Sequence, residues 1–110
     1  MKLKEKQVEA GYLYLTTVNQ YRAVLAIKGD FLLYAPSSEG TAPLSQNPTV
    51  LPFEHQPVKK CQIVTFAKKD YQEFDFNGTT AIKHKLTELQ LAEAIAQCNA
   101  KSAITALLAE

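Results

Sequence analysis

Tyr-Gln-Glu-Phe-Asp-Phe-Asn-Gly-Thr-Thr-Ala-Ile-Lys-His-Lys-Leu-Thr-Glu-Leu-Gln, residues 71–90, changes its period part-way along, and that change sets the fold class. From Tyr71 to Phe76 the side chains alternate, with Phe74 and Phe76 on one face and Glu73 and Asp75 on the other, the pattern of a strand that buries one side. Asn77-Gly78 then supplies the residue pair that a two-residue hairpin turn with positive φ favours, so Thr79 to His84 reads as the return strand. A strict two-residue turn pairs Phe76 with Thr79 and Phe74 with Ala81. It also leaves Ile82 on the acidic face beside Glu73, which a bulge or a longer loop would correct. At Thr87 the helical period takes over. Thr87 and Gln90 form a capping box, the hydroxyl accepting from the Gln90 amide and the Gln90 side chain reaching back to the Thr87 amide.

Downstream, Leu91, Ile95 and Cys98 share a helix face, Leu89, Ala92 and Ala96 broaden it, and Gln90, Glu93 and Gln97 lie opposite. An unbroken helix to Ala109 would swing Ile104, Leu107 and Leu108 far round from that face. The expectation is therefore a turn around Cys98 to Ser102, with Asn99 and Ser102 as N-cap types, and a short second helix through Leu108. Upstream, Tyr12–Thr17, Tyr21–Ile27 and Phe31–Ala35 read as a meander. In its middle strand Tyr21, Ala23, Leu25 and Ile27 share a face, and Gly29-Asp30 has Gly where a type II′ turn requires it. Cys61 to Ala67 reads as a further strand, with Val64 and Phe66 on one face against Cys61, Ile63 and Thr65, and Lys68-Lys69-Asp70 breaks it. All five prolines fall within 36–58, which makes that segment a long irregular connection and the stretch expected to be least rigid.

The order strands, loop, strands, helices implies an α+β domain: a five- or six-stranded antiparallel sheet, with barrel closure left open, carrying the two C-terminal helices on one face. The other face is expected to be partly open. The 110 residues are read as one domain, because a second core would leave each half near the size where domains become marginal.

The formal charge of +1 gives no whole-molecule field toward nucleic acid or lipid. No apolar run approaches the length of a membrane span, and no signal-peptide pattern follows Lys2, Lys4 and Lys6, so no membrane and a cytoplasmic location are expected. Cys61 and Cys98 do not make a disulfide framework and read as buried free thiols. There is no metal-ligand spacing and no phosphate-cradling glycine loop, so no cofactor and no metal are expected. A Cys/His nucleophilic pair would need Cys61 beside His55 or His84. That leaves a small enzyme as a third reading behind two others.

The first reading is a small non-catalytic domain that binds another protein. Its candidate binding residues are Tyr12, Tyr14, Tyr34, Phe53, His55 and Tyr71, the tyrosines being placed on the open face or its rim because tyrosine offers large area with a polar tip. Another protein is the expected partner, with a homodimer as the alternative. The second reading is a nucleic-acid-binding regulator. Thr87, Leu91-Ala92-Glu93, Ile95-Ala96, Ser102-Ala103-Ile104-Thr105 and Leu107-Leu108 resemble, loosely, the helix pair of helix-turn-helix DNA-binding domains. The turn is longer than in that family, and only Lys101, Ser102 and Thr105 would offer polar contacts. Lys59, Lys60, Lys68, Lys69, Lys83 and Lys85 form the other candidate contact set, although lysines beside strands also keep sheet edges from pairing with other chains. Arg22 alone offers a bidentate fork.

Overall fold

A computed structural model describes residues 1–37, 57–76 and 78–110. Most of the proline-bearing segment 36–58, with Phe53 and His55 in it, and Asn77 of the predicted turn lie outside the described residues. Strands β1 (Tyr12–Leu15), β2 (Tyr21–Lys28), β3 (Phe31–Ser37), β4 (Lys59–Gln62) and β7 (Lys83–Lys85) form one five-stranded sheet in the order β4-β3-β2-β1-β7. Every pairing is antiparallel. A two-stranded ribbon, β5 (Phe74–Phe76) and β6 (Thr79–Ala81), and helices α1 (Ile63–Ala67), α2 (Glu88–Gln97) and α3 (Lys101–Leu108) complete the fold. It is an α+β architecture whose main sheet is open, ending in β4 on one side and β7 on the other. The lysines at 59, 60, 83 and 85 thus sit on the two edge strands.

The meander forms as read, and Lys28 pairs with Phe31 across Gly29-Asp30. Positive φ falls on Gly29 alone of those two, as a type II′ turn needs. One strand face departs from strict alternation. The register between β2 and β3 shifts between Val24 and Ala26, so Leu25 and Ala26 both pack on the helix side and Ile27 is turned to the opposite core. A bulge is invisible to a count of every second residue. Pro36, read as the start of the loop, is still in β3 opposite Arg22. β4 reaches only as far as Tyr34, so the missing proline donor costs the ladder nothing on that side.

The sheet is covered on both faces, which corrects the expectation of a partly open one. On the helix side, Leu13, Leu15, Tyr21, Ala23 and Ala35 meet Phe74, Phe76, Ala94 and Cys98, with Leu91 and Ile95 packed against them. Leu107 of α3 closes over Ala26 and Leu33. On the other side, Tyr14, Val24 and Leu32 lie beneath Leu3, Val8, Phe66, Ala67 and Tyr71. The N-terminal segment is tied there through backbone bonds: the Leu3 N–H donates to the Ala67 carbonyl (3.0 Å) and the Tyr71 N–H to the Met1 carbonyl (2.9 Å).

Cys61 to Ala67 is half strand and half helix. Gln62 pairs with Phe31, the first residue of β3, and the Ile63 N–H donates to the Asp30 carbonyl in the turn (2.8 Å). No further β3 backbone remains to pair with, so the chain coils, and coiling swings Phe66 onto the sheet while Val64 stays outside. The return strand after the hairpin likewise divides at Ile82. β6 stays with β5, whereas β7 crosses to pair with β1, and Ile82 packs into the core beneath the N-terminal segment. This division resolves the misplacement of Ile82 beside Glu73.

Phe76 pairs with Thr79 and Phe74 with Ala81, the strict two-residue register, and Gly78 has φ +82°. A Cβ at Gly78 would meet nothing within 4 Å, so a substitution there strains the backbone without a clash. Gly78→Val is expected to cost about 1–2 kcal/mol through left-handed strain. An unchanged urea midpoint would mean that the turn relaxes at no cost.

The capping box forms with both bonds: the Gln90 N–H donates to Thr87 Oγ1 (3.1 Å) and the Thr87 N–H to Gln90 Oε1 (2.9 Å). Thr87→Ala should therefore cost about 1 kcal/mol in the same measurement; no loss would show that α2 is held by packing alone. By folding back, Gln90 is buried, and the inward face of α2 runs through Gln90, Leu91, Ala94 and Cys98 while Leu89 is 61% exposed. The predicted face is thus rotated by about one position. Asn99 does not cap α3 as expected. It takes φ +54° just past α2, where the Asn99 N–H donates to the Ala96 carbonyl and the Ala100 N–H to the Ile95 carbonyl, a Schellman ending. The N-cap of α3 is Ala100, with no side-chain bond.

Candidate functional site

The structure gathers Tyr14, Tyr34 and Tyr71 into one cluster around Phe66, with ring centroids 5.4, 5.3 and 5.5 Å from the Phe66 ring. Tyr14 and Tyr71 are almost fully buried, 0% and 1% exposed, and so are not the surface residues they were expected to be. Each phenol is satisfied from within. The Tyr14 hydroxyl donates to the Gln7 carbonyl (2.7 Å) and accepts from the Glu9 N–H (3.0 Å), and the Tyr71 hydroxyl donates to the Phe66 carbonyl (2.7 Å). They staple the N-terminal segment and α1 to the sheet, which is the role of a buried tyrosine with its polar end paired. Only Tyr12 and Tyr34 of the predicted tyrosines keep partial exposure, and each lies under a cation: Lys83 Nζ is 4.7 Å from the Tyr12 ring centre and the Arg22 guanidinium 4.7 Å from that of Tyr34.

Arg22 is the hub of the exposed end of this cluster. Its Nε donates to Gln20 Oε1 (2.7 Å) and its Nη1 to the Tyr71 hydroxyl (3.3 Å), while the guanidinium also lies 5.5 Å from the Phe66 ring centre. No carboxylate pairs with it among the described residues. Burial pushes the Tyr34 phenol and the Cys61 thiol up, and the nearby Arg22 charge only partly offsets this. A thiol held protonated is a poor nucleophile. Cys61 and His84 also stand on the two opposite edge strands and on opposite faces of the sheet, so they cannot form a catalytic pair.

The layer beneath which this cluster lies is strongly basic. Lys2, Lys4 and Lys6 come from the N-terminal segment, and Lys68 and Lys69 follow α1. The strand register adds Arg22 from β2, Lys59 beside Tyr34, and Lys83 and Lys85 flanking Tyr12. Among the described residues Glu5, Glu9 and Asp70 stand against them, with Asp30 in the turn beside the start of α1, and of these Glu9 is bound by Lys83 (2.7 Å) and Asp70 by the terminal amine. The helix layer has the opposite character. It carries Glu73, Asp75, Glu88, Glu93 and Glu110, whereas two of its cations are spent on the end of α3, Lys60 on Glu110 (2.9 Å) and Lys28 on the Leu108 carbonyl (3.5 Å). Among the described residues the charge is thus divided across the sheet, which the near-neutral total conceals.

No protein-family model, curated protein or solved structure matches the chain. Among the described residues no group of three or more His, Cys, Asp and Glu is placed to hold a metal ion, and no helix is long and apolar enough to cross a membrane. The sequence named Lys59, Lys60, Lys68, Lys69, Lys83 and Lys85 as one set, and Lys60 departs from it, since it stands opposite Leu33 on the helix side and pairs with Glu110. No local signal showed that Lys2, Lys4 and Lys6 would join the others, because that depends on the N-terminal segment crossing to α1.

Proposed function

We propose that this is a non-catalytic protein-binding domain, working in the cytoplasm, whose basic layer docks an acidic segment of another protein. The observation that supports the reading most is the division of charge among the described residues: the N-terminal segment, the two lysines after α1, and Lys59, Lys83 and Lys85 of the edge strands meet few opposing carboxylates, and the helix layer presents the reverse. Such a field orients an acidic partner onto one face and repels it from the other. The two thiols, both free, fit a reducing compartment.

An acidic protein segment suits the face better than a nucleic acid does. Unstructured strands of RNA or DNA are held by bases stacking on aromatic rings, and here Tyr14, Phe66 and Tyr71 are buried while Tyr12 and Tyr34 lie under cations. Duplex readers insert an element into a groove with arginines at base edges. Arg22, the one arginine, is stacked inside the cluster, and the helix pair carries Glu88, Glu93 and Glu110. Ala103, Ile104 and Leu107 of α3 are also turned toward the sheet.

Reversing Lys68 and Lys69 together to Glu, both exposed and outside the core, should weaken binding of a poly-glutamate peptide tenfold or more at low salt. Lys101→Glu on the helix layer should leave it unchanged. Equal losses from both changes, or none from the first, would contradict the reading.

A further inference from the structure

β7 is the outermost strand on its side of the main sheet, and its ladder with β1 fixes which backbone groups it leaves free. The Leu86 N–H donates to the Gly11 carbonyl (2.8 Å), and His84, two residues earlier, stands opposite Leu13. In an antiparallel ladder alternate residues turn their N–H and C=O the same way, so His84 and Leu86 face β1 while Lys83 and Lys85 face outward. Among the described residues, nothing bonds to those outward groups. An unpaired edge of this kind is a template for another strand.

The register also sorts what such a strand meets on each side. Tyr12 stands opposite Lys85 and Tyr14 opposite Lys83, so both lysine side chains belong to the basic layer, and Lys83 Nζ lies over the Tyr12 ring. His84, between them, points to the helix layer, where its ring packs on Phe74 and Phe76. On that side a trough of about 270 Å³ runs along the edge, walled by Phe76, Thr79 and Ala81 of the ribbon and by Thr87 and Gln90 at the start of α2. That is smaller than the roughly 300–1,000 Å³ of ordinary small-molecule pockets, so it suits a side chain rather than a cofactor.

We propose that an extended segment of the partner protein adds to β7 as a further antiparallel strand, with acidic side chains over the basic layer and an apolar one in the trough. This rests on the protein-docking reading and names how the acidic segment is held. Partner residues opposite Lys83 and Lys85 exchange both backbone bonds with them and project their side chains on the lysine face. The residue between, opposite His84, projects to the other face, against Phe76 and Ala81. Lys83 is already held by Glu9 (2.7 Å), whereas Lys85 is exposed and makes no ion pair among the described residues, so the acid opposite Lys85 gains most. Lysines on an edge repel basic strands and leave neutral ones facing an unmatched charge. An acidic strand removes that barrier, so the residues that guard the edge also select what joins it. Glu88, next to Thr87 of the trough, disfavours an acid on the helix side, which favours alternation over a run of glutamates.

The test uses the whole chain at low salt with a blocked peptide of alternating Glu and Val, the same peptide N-methylated on every Glu, and the same peptide N-methylated on every Val. In an added strand the Glu N–H groups face β7 and the Val N–H groups face solvent. Methylation of the Glu nitrogens should therefore weaken binding about tenfold or more, and methylation of the Val nitrogens should leave it nearly unchanged. Saturation with the unmodified peptide should slow hydrogen exchange at the Lys83 and Lys85 amides about tenfold or more. Equal effects of the two methylations, unchanged exchange at Lys83 and Lys85 in the saturated complex, or binding of poly-glutamate but not of the alternating peptide would each overturn strand addition and leave the docking face standing. Binding of neither peptide would remove the docking face and the added strand together.

Discussion

Truncating Phe66 to alanine should remove about 3–5 kcal/mol of unfolding free energy, a large share of what a small domain has. Phe66 is 0% exposed and stands at the centre of three tyrosine rings, and its carbonyl holds the Tyr71 hydroxyl. Val64, two residues earlier and 37% exposed, should tolerate alanine within about 0.5 kcal/mol. The contrast between the two is the informative quantity. If residues 61–67 were a strand, Val64 and Phe66 would share a face and be affected alike; because the chain coils at Ile63, they are not. Equal losses in urea denaturation would show that α1 is not the structure in solution.

The second large effect is expected at alkaline pH. Burial raises the Tyr71 phenol to about 12, although the Arg22 charge and hydrogen bond pull the other way, and burial raises Tyr14 still further despite the hydrogen bond from the Glu9 backbone. Unfolded tyrosine ionises near 10.0. The folded state therefore favours the neutral phenol. Its contribution to stability is fully present below pH 10 and is lost as the pH rises from there through about 12, where the unfolded chain gains charge that the cluster does not accept. Urea midpoints measured across that window should fall steeply, and Tyr71→Phe should flatten part of the fall. A stability that stays level to pH 12, or tyrosinate absorbance from all five tyrosines near pH 10, would contradict the burial of this cluster.

Local signals carried much of the architecture. Asn77-Gly78 and Gly29-Asp30 set two hairpin registers, the Thr87 and Gln90 pair set the start of α2, and the drift of Ile104 and Leu107 set the break before α3, because each depends on residues within a few positions of one another. The misreadings share a cause of another kind. The coil at Ile63 depends on where β3 ends, the bulge at Leu25 on the partner strand, the split at Ile82 on the competing edge of β1, and the burial of Gln90 on how the capping box aims α2. The candidate site was misjudged for the same reason. Tyr14 and Tyr71 look like interface residues until the N-terminal segment and α1 are known to cover them, and the charge division exists only once Lys2, Lys4 and Lys6 are placed on the same layer as Lys68 and Lys69.

Whether the basic layer is a protein-docking face is tested most directly by mapping amide shifts with two probes at physiological salt, a poly-glutamate peptide and single-stranded poly(U) of matched charge. With the peptide, shifts should concentrate at residues 2–6, at 68–70 and along Lys83 and Lys85, should leave α2 and α3 unmoved, and should exceed those with the nucleic acid. Tighter binding of poly(U), or peptide shifts centred on the helix layer, would contradict the account.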